Sequence, residues 1–408
     1  MSTHSSGRWA QTVKWFAVMA SAAVLAACGG GGGGSASADG SLRVALTDAP
    51  SCGYDHVWVT IERVRVHQSS TASDTDGGWT DLTLSPARRV DLLDLTNGVL
   101  EELGTMPLQA GSYSQIRLVL ASNSGTGTTS VANAVQPTGG AVIPLATPSA
   151  QQSGLKLQAH FDVAAGQLAD VVLDFDACKS VVKAGNSGNY NLKPVVTVLQ
   201  RVVTGITGFV STTLPAGSTT IAVQQDGTTV RSTAPTASGA FSIPFLNTGT
   251  YTIVITSEGR ATSVITGVPV GTTATTTING TATAIAPPAS TMADVTGTVT
   301  SSSVSGSTTV TVAVTDATVR ALQALTGGPT IELANKPVDA TLGTYSLHLP
   351  TAAPQKAAYS STGALTFTAD TAMAGKYTIQ AQAPGRATTD KPADISAGST
   401  VVNFNWGP

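Results

Sequence analysis

Charge is what this chain has least of. Asp, Glu, Lys and Arg make up 11% of its 408 residues, against about 25% in ordinary soluble domains, and Thr, Ser, Gly and Ala stand in their place. That is the usage of an extracytoplasmic β-protein. The 21 basic residues against 24 acids leave a net charge of -3, and no basic cluster could neutralise several phosphates, so nucleic acid is not an expected partner. Long apolar runs are also missing. After residue 28 none reaches the roughly 20 residues that a membrane-spanning helix needs. Catalytic signatures are absent too: there is no Gly-x-Ser-x-Gly, no Ser-x-x-Lys with supporting motifs and no His-Glu-x-x-His. His56, His67, His160 and His348 show no metal-ligand spacing. None of the three cysteines belongs to a Cys-x-x-Cys pair. A non-enzyme without a cofactor is the expectation.

What is present begins with an address. Arg8 and Lys14 precede the apolar run Trp15 to Leu25, and Leu25-Ala26-Ala27-Cys28 closes it, the layout of a secretory signal. The four residues resemble a bacterial lipobox. The resemblance implies cleavage of residues 1–27, lipidation of Cys28, and a membrane attachment made through lipid alone. Gly29 follows the cysteine where an aspartate would favour inner-membrane retention, so the expected site is the outer membrane. Gly29 to Gly34 lacks the strand, the Lys-Ser/Thr and the helix of a phosphate-binding loop, and residues 28–40 read as a flexible leash. With Cys28 lipidated, Cys52 and Cys178 remain. In an oxidising compartment they most simply pair, the alternative being two buried thiols.

Residues 41–203 alternate short strand-like runs with turn chemistry, as in His56 to Ile61 and Gly111 to Leu120. Leu46-Thr47-Asp48-Ala49-Pro50, Val90-Asp91-Leu92-Leu93, Gly111 to Leu118, Gly154 to Leu157, Asp174-Phe175-Asp176 with Lys179-Ser180-Val181, and Tyr190 to Pro194 occur in order. Together they resemble the domain of unknown function (DUF) 4382 family. The resemblance implies an extracytoplasmic, often lipid-anchored β-domain and supplies no catalytic residues.

The second half repeats itself. Gly249 to Thr262 matches Gly375 to Thr388, each copy with a Gly-x-Tyr-Thr start and a Gly-Arg-Ala-Thr end. Ala286-Pro287-Pro288-Ala289 marks the boundary between residues 204–286 and 293–408. Both copies resemble carboxypeptidase regulatory-like (transthyretin-like) β-sandwiches, a class grouped with carbohydrate-binding-like folds. Pro329 to Pro337 and Pro350 to Leu365 interrupt the second copy. The expected fold is all-β: three β-sandwiches in tandem, in which the Gly-x-Tyr element starts a strand and the tyrosine packs at its edge.

Two groups of side chains are candidates for binding. Asp174 and Asp176 lie two apart on a strand, on one face, and with Asp48 or Asp55 they could hold a hard cation such as calcium; the alternative is pairing with Lys179 and backbone amides. Trp58, with Trp79, Trp406 and Tyr54, could form an aromatic platform for a sugar ring, or could cover sandwich edges. The expected role is non-catalytic: an envelope binding or spacer module with a polysaccharide or protein partner. A carbohydrate-binding or calcium-dependent adhesion module is the alternative.

Overall fold

The structure, a computed structural model, describes residues 39–48, 53–123, 131–147 and 153–407. Cys28, Cys52 and residues 28–38 of the leash lie outside them, while Gly40, read as the end of the leash, already pairs with Leu108 in the strand Gly40–Asp48. Residues 38–408 close into one compact unit, built almost wholly of strands, and the all-β sandwich expectation holds.

The first sandwich packs a four-stranded sheet on an eight-stranded one. In the smaller sheet the order is Val196–Gln200, Leu168–Phe175, Gly40–Asp48, Glu101–Leu108, with Gly40–Asp48 parallel to Leu168–Phe175. The larger is centred on Tyr54–His67, which pairs with Thr80–Asp91, Gly111–Leu120 and Ala134–Pro137. Leu155–Val163 shows how sequence drives this. Its residues alternate buried and exposed without a break, because a strand turns successive side chains to opposite faces and only one face meets the core.

Among the strands that lose that alternation are Gly111–Leu120 and Leu168–Phe175, and in both something covers the outer face. Gly111–Leu120 buries its last six residues; outside it Arg117 donates to the carbonyls of Ala72, at 2.9 Å, and Ser153, at 2.8 Å. Leu168–Phe175 buries its last five. Its cover comes from the second sandwich.

That second sandwich sets Ala240–Pro244, Gly205–Phe209 and Thr276–Thr277 against a six-stranded sheet. Four strands of the larger sheet are its own: Thr228–Thr233, Thr219–Gln225, Gly249–Ser257 and Ser263–Val270. The other two are Gln355–Ala358, inside the stretch Pro350 to Leu365 that interrupts the last repeat, and Thr368–Ala369, just beyond it. Gln355–Ala358 runs parallel to Ser263–Thr266, and Tyr359, Leu365 and Phe367 pack on the second sandwich's core. The interruption and the residues just beyond it are therefore a pair of strands lent by the third sandwich to the second. The third sandwich keeps a sheet around Met292–Ser305 and a four-stranded sheet in the order Thr330–Pro337, Thr318–Ala324, Lys376–Gln382, Thr389–Asp394.

The three Gly-x-Tyr elements do the same work in each sandwich. Tyr113, Tyr251 and Tyr377 are all buried, in the core rather than at a sheet edge. Their hydroxyls donate to main-chain carbonyls of Gln109 at 3.0 Å, Asn247 at 2.8 Å and Pro350 at 2.6 Å. A buried phenol needs such a partner, and a bond back to the chain four residues upstream, as in the first two, pins the turn to the strand.

Candidate functional site

Asp174 sits near the end of Leu168–Phe175 and points at the second sandwich. There Arg231, on Thr228–Thr233, meets it at 3.2 Å, the arginine side chain 3% and the aspartate 10% exposed. Arg231 also donates to the Pro244 carbonyl at 3.0 Å. Burial pushes the Asp174 carboxyl above the usual carboxylate range, although Arg231 opposite pulls it down. The same burial holds the guanidinium below its ordinary value despite the attraction of Asp174. Desolvation outweighs pairing at this seam.

The other two candidate acids lie close by and are engaged locally. Parallel pairing puts Asp48 beside Phe175, and its Oδ1 accepts from the Ala177 amide at 3.0 Å. Asp176 caps the single turn Ala177–Ser180, accepting from the Lys179 amide at 3.0 Å, and its other oxygen meets Lys179 Nζ at 2.8 Å. Burial works against the Lys179 ammonium, yet Asp176, with Glu332 and Asp174 farther off, holds it above the usual lysine value. The chain thus brings together the acids that sequence singled out, but gives each a partner of its own. Asp55 is elsewhere, accepting from the Gly139 amide at 3.0 Å. Among the described residues no group of three or more His, Cys, Asp or Glu is arranged to hold a metal ion. Cys178, on the same turn, is not a free thiol; Cys52 lies outside the described residues.

The aromatic candidates are dispersed. Trp58, half-buried, stacks on His56 with ring centroids 4.7 Å apart, and the Arg89 guanidinium lies 4.5 Å from its ring centre. His56 is in turn hydrogen-bonded to Asp91. Trp79 lies against His67, Arg65 and Arg117 and donates to the Ser73 carbonyl at 2.9 Å. Trp406 donates to the Ala387 carbonyl at 2.9 Å in the third sandwich. These rings cover their own sheets and loops rather than forming one platform. Tyr54 alone reaches a cavity, edge-on to Tyr190, and burial pushes its hydroxyl up to about 12.

That cavity, about 380 Å³, opens where the three sandwiches meet. The first contributes Lys179, Val181 and Lys183, the second Ala222 and Val254, the third Leu333, Lys336 and Asp339. Its walls are tied together directly. Glu332 and Gln224 exchange two hydrogen bonds, at 2.5 and 2.9 Å, between the third and second sandwiches. Asp339 accepts from the Gly185 amide at 2.8 Å, joining the third to the first. Lys193 Nζ reaches the Thr315 carbonyl at 2.7 Å across the same seam. Ala222, Val254 and Val264 bury their side chains against Leu325 and Ile331 between the second and third. Arg231, Lys183 and Lys336 were not singled out from sequence. The one available signal was a lone arginine in the otherwise uncharged strand Thr228–Thr233.

The site and fold define an all-β, multi-sandwich protein whose polar seams join its parts. The model of the domain of unknown function family DUF4382 matches residues 39–194, in accord with the resemblance read over the first sandwich. No curated protein matches the chain. Among solved structures, the Bacillus anthracis TIE protein is 12% identical with a TM-score of 0.17 over 90% of this chain, which spans 50% of that protein's length. The Corynebacterium diphtheriae major pilin SpaA is 11% identical with a TM-score of 0.15, covering 90% of this chain and 99% of the pilin. At such scores neither likeness bears on function.

Proposed function

We propose that this chain is a non-catalytic, lipid-anchored cell-envelope protein in which three sandwiches act as one body, spacing or presenting a binding surface away from the membrane. The observation that carries the reading is the buried Arg231–Asp174 pair. Side chains of the types that do chemistry elsewhere serve here to hold one sandwich against the next. The lipobox-like Leu25 to Cys28 supports lipidation of Cys28, and Gly29 after it supports the outer membrane as the destination. Cys52 and Cys178 are read as a disulfide, consistent with the engaged sulfur of Cys178.

Thermal unfolding of residues 38–408 with millimolar calcium and with a chelator tests the scaffold reading against calcium-dependent adhesion. A ligand that binds only the folded state at 100 times its dissociation constant adds about 2.7 kcal/mol. The scaffold reading expects coincident curves. A calcium-dependent rise that disappears in Asp174→Asn would overturn it.

A further inference from the structure

The cleft where the three sandwiches meet holds two ammonium groups that the fold leaves without a partner among the described residues. Its acids are already engaged: Asp176 with Lys179 and a helix amide, Glu332 with Arg320 at 2.5 Å, and Asp339 with the amides of Gly185, Thr341 and Leu342, each at 2.8 Å. Two of its three lysines differ. Among the described residues, the ammonium groups of Lys183 and Lys336 have no hydrogen bond and no ion pair within 4.0 Å. The carboxylates they feel, Asp339 and Asp294, act at longer range. An ammonium offers three donors and no acceptor, so these two heads call for an anionic partner.

The rest of the lining is mixed: apolar side chains lie beside the hydroxyls of Thr220, Ser232 and Thr256 and the Asn335 amide. Val181, Val254 and Val338 are buried, and Leu333 and Ala222 complete the wall. Lys336 also lines a neighbouring hollow of about 160 Å³ between the second and third sandwiches. A volume of about 380 Å³ falls at the small end of ligand pockets, which run from about 300 to 1,000 Å³ and combine an apolar lining with a few polar groups that fix orientation.

We propose that this cleft binds a small organic anion: an apolar body seated against Val254 and Leu333, with its carboxylate, sulfonate or phosphate between Lys183 and Lys336. The proposal goes beyond the scaffold reading and stands whether or not Cys28 carries lipid. Each of the three sandwiches supplies part of the wall, so the site exists only while they are docked.

A matched pair of dyes tests it. 1-Anilinonaphthalene-8-sulfonate and N-phenyl-1-naphthylamine share an aromatic body and differ by the sulfonate. Titrated into residues 38–408, which contain all the described cores, the sulfonate dye is expected to bind saturably at one site, at least tenfold tighter than the neutral dye. Lys183→Gln with Lys336→Gln is expected to remove that tenfold preference with the neutral dye unaffected. Thr220→Trp, which fills the cleft from a half-exposed position, is expected to remove both. Lys183 is exposed, so Lys183→Gln alone carries the test should the double variant fail to fold, with at least a threefold loss expected. Equal affinity for the two dyes, non-saturable binding, or full sulfonate-dye affinity in the folded lysine variants would overturn the proposal.

Discussion

Replacing Arg231 with alanine should reveal how strongly the first two sandwiches depend on each other. The substitution leaves Asp174, 8% exposed, facing an empty space with no counter-charge. Breaking a buried pair by removing one partner costs about 3 to 5 kcal/mol. Unfolding entropy near 2.1 cal/mol/K per residue translates that into roughly 4 to 6 °C for a unit of this size. The pH dependence gives a sharper signature. Burial raises the Asp174 carboxyl in the folded state even with Arg231 present, and removing Arg231 raises it further. A carboxyl whose folded-state value lies above its unfolded value binds protons more tightly when folded, so its contribution is complete at acid pH and is lost as pH rises through the folded-state value. Arg231→Ala should therefore be most destabilised at pH 7 to 8 and recover as the pH falls through the raised folded-state value of Asp174. The double variant Arg231→Met with Asp174→Leu should regain most of the loss at every pH, because a buried pair replaced by apolar groups is often neutral or better. Chemical denaturation at pH 4.5 and pH 7.5 reads the parent and both variants. A loss that does not depend on pH, or a double variant as weak as the single, would refute the reasoning.

Other expectations follow from particular contacts. A Cβ at Gly297 would lie 1.9 Å from the Val402 carbonyl oxygen, so Gly297→Ala should cost on the order of 3 kcal/mol by forcing Met292–Ser305 away from the C-terminal strands; an unchanged melting temperature would contradict this. His348 joins Asp294 at 2.6 Å to Glu258 of the second sandwich at 3.2 Å, and the Asp294 hydrogen bond, with both carboxylates, raises its pKa. Its stabilising effect is then complete below the unfolded value and fades as pH rises through the folded one. Being 44% exposed, it should be small and weakened by salt, and His348→Ala should abolish that pH trend in hydrogen exchange along Thr344–Pro350. Cys178→Ser should lower stability by about 4 to 5 kcal/mol, as expected for a cross-link closing a loop of roughly 125 residues, and peptide mapping without reductant should recover Cys52 joined to Cys178.

Local pattern made most of the strands legible. The alternation of Leu155–Val163 and the three Gly-x-Tyr elements reflect forces acting within a few residues, and a sequence displays those directly. The two sites where pattern failed are places where distant chain supplies the cover. Leu168–Phe175 should have turned Asp174 to solvent, and would have, had Arg231 not arrived from 57 residues away. Pro350 to Leu365 read as an interruption because its role is visible only from the strand it joins, Ser263–Val270 in the preceding repeat. Trp58 shares the strand phase read for it, but the Arg89 guanidinium over its ring comes from a strand whose register no local pattern specifies.

Scanning calorimetry of residues 38–408 addresses most directly whether three sandwiches make one body. Strands shared between sandwiches, the buried Arg231–Asp174 pair and the Glu332–Gln224 bonds should make unfolding a single transition. Its calorimetric and van't Hoff enthalpies should agree, at roughly 0.7 kcal/mol per residue near 60 °C. Two or three resolved transitions, each carrying the enthalpy of one sandwich, would contradict it.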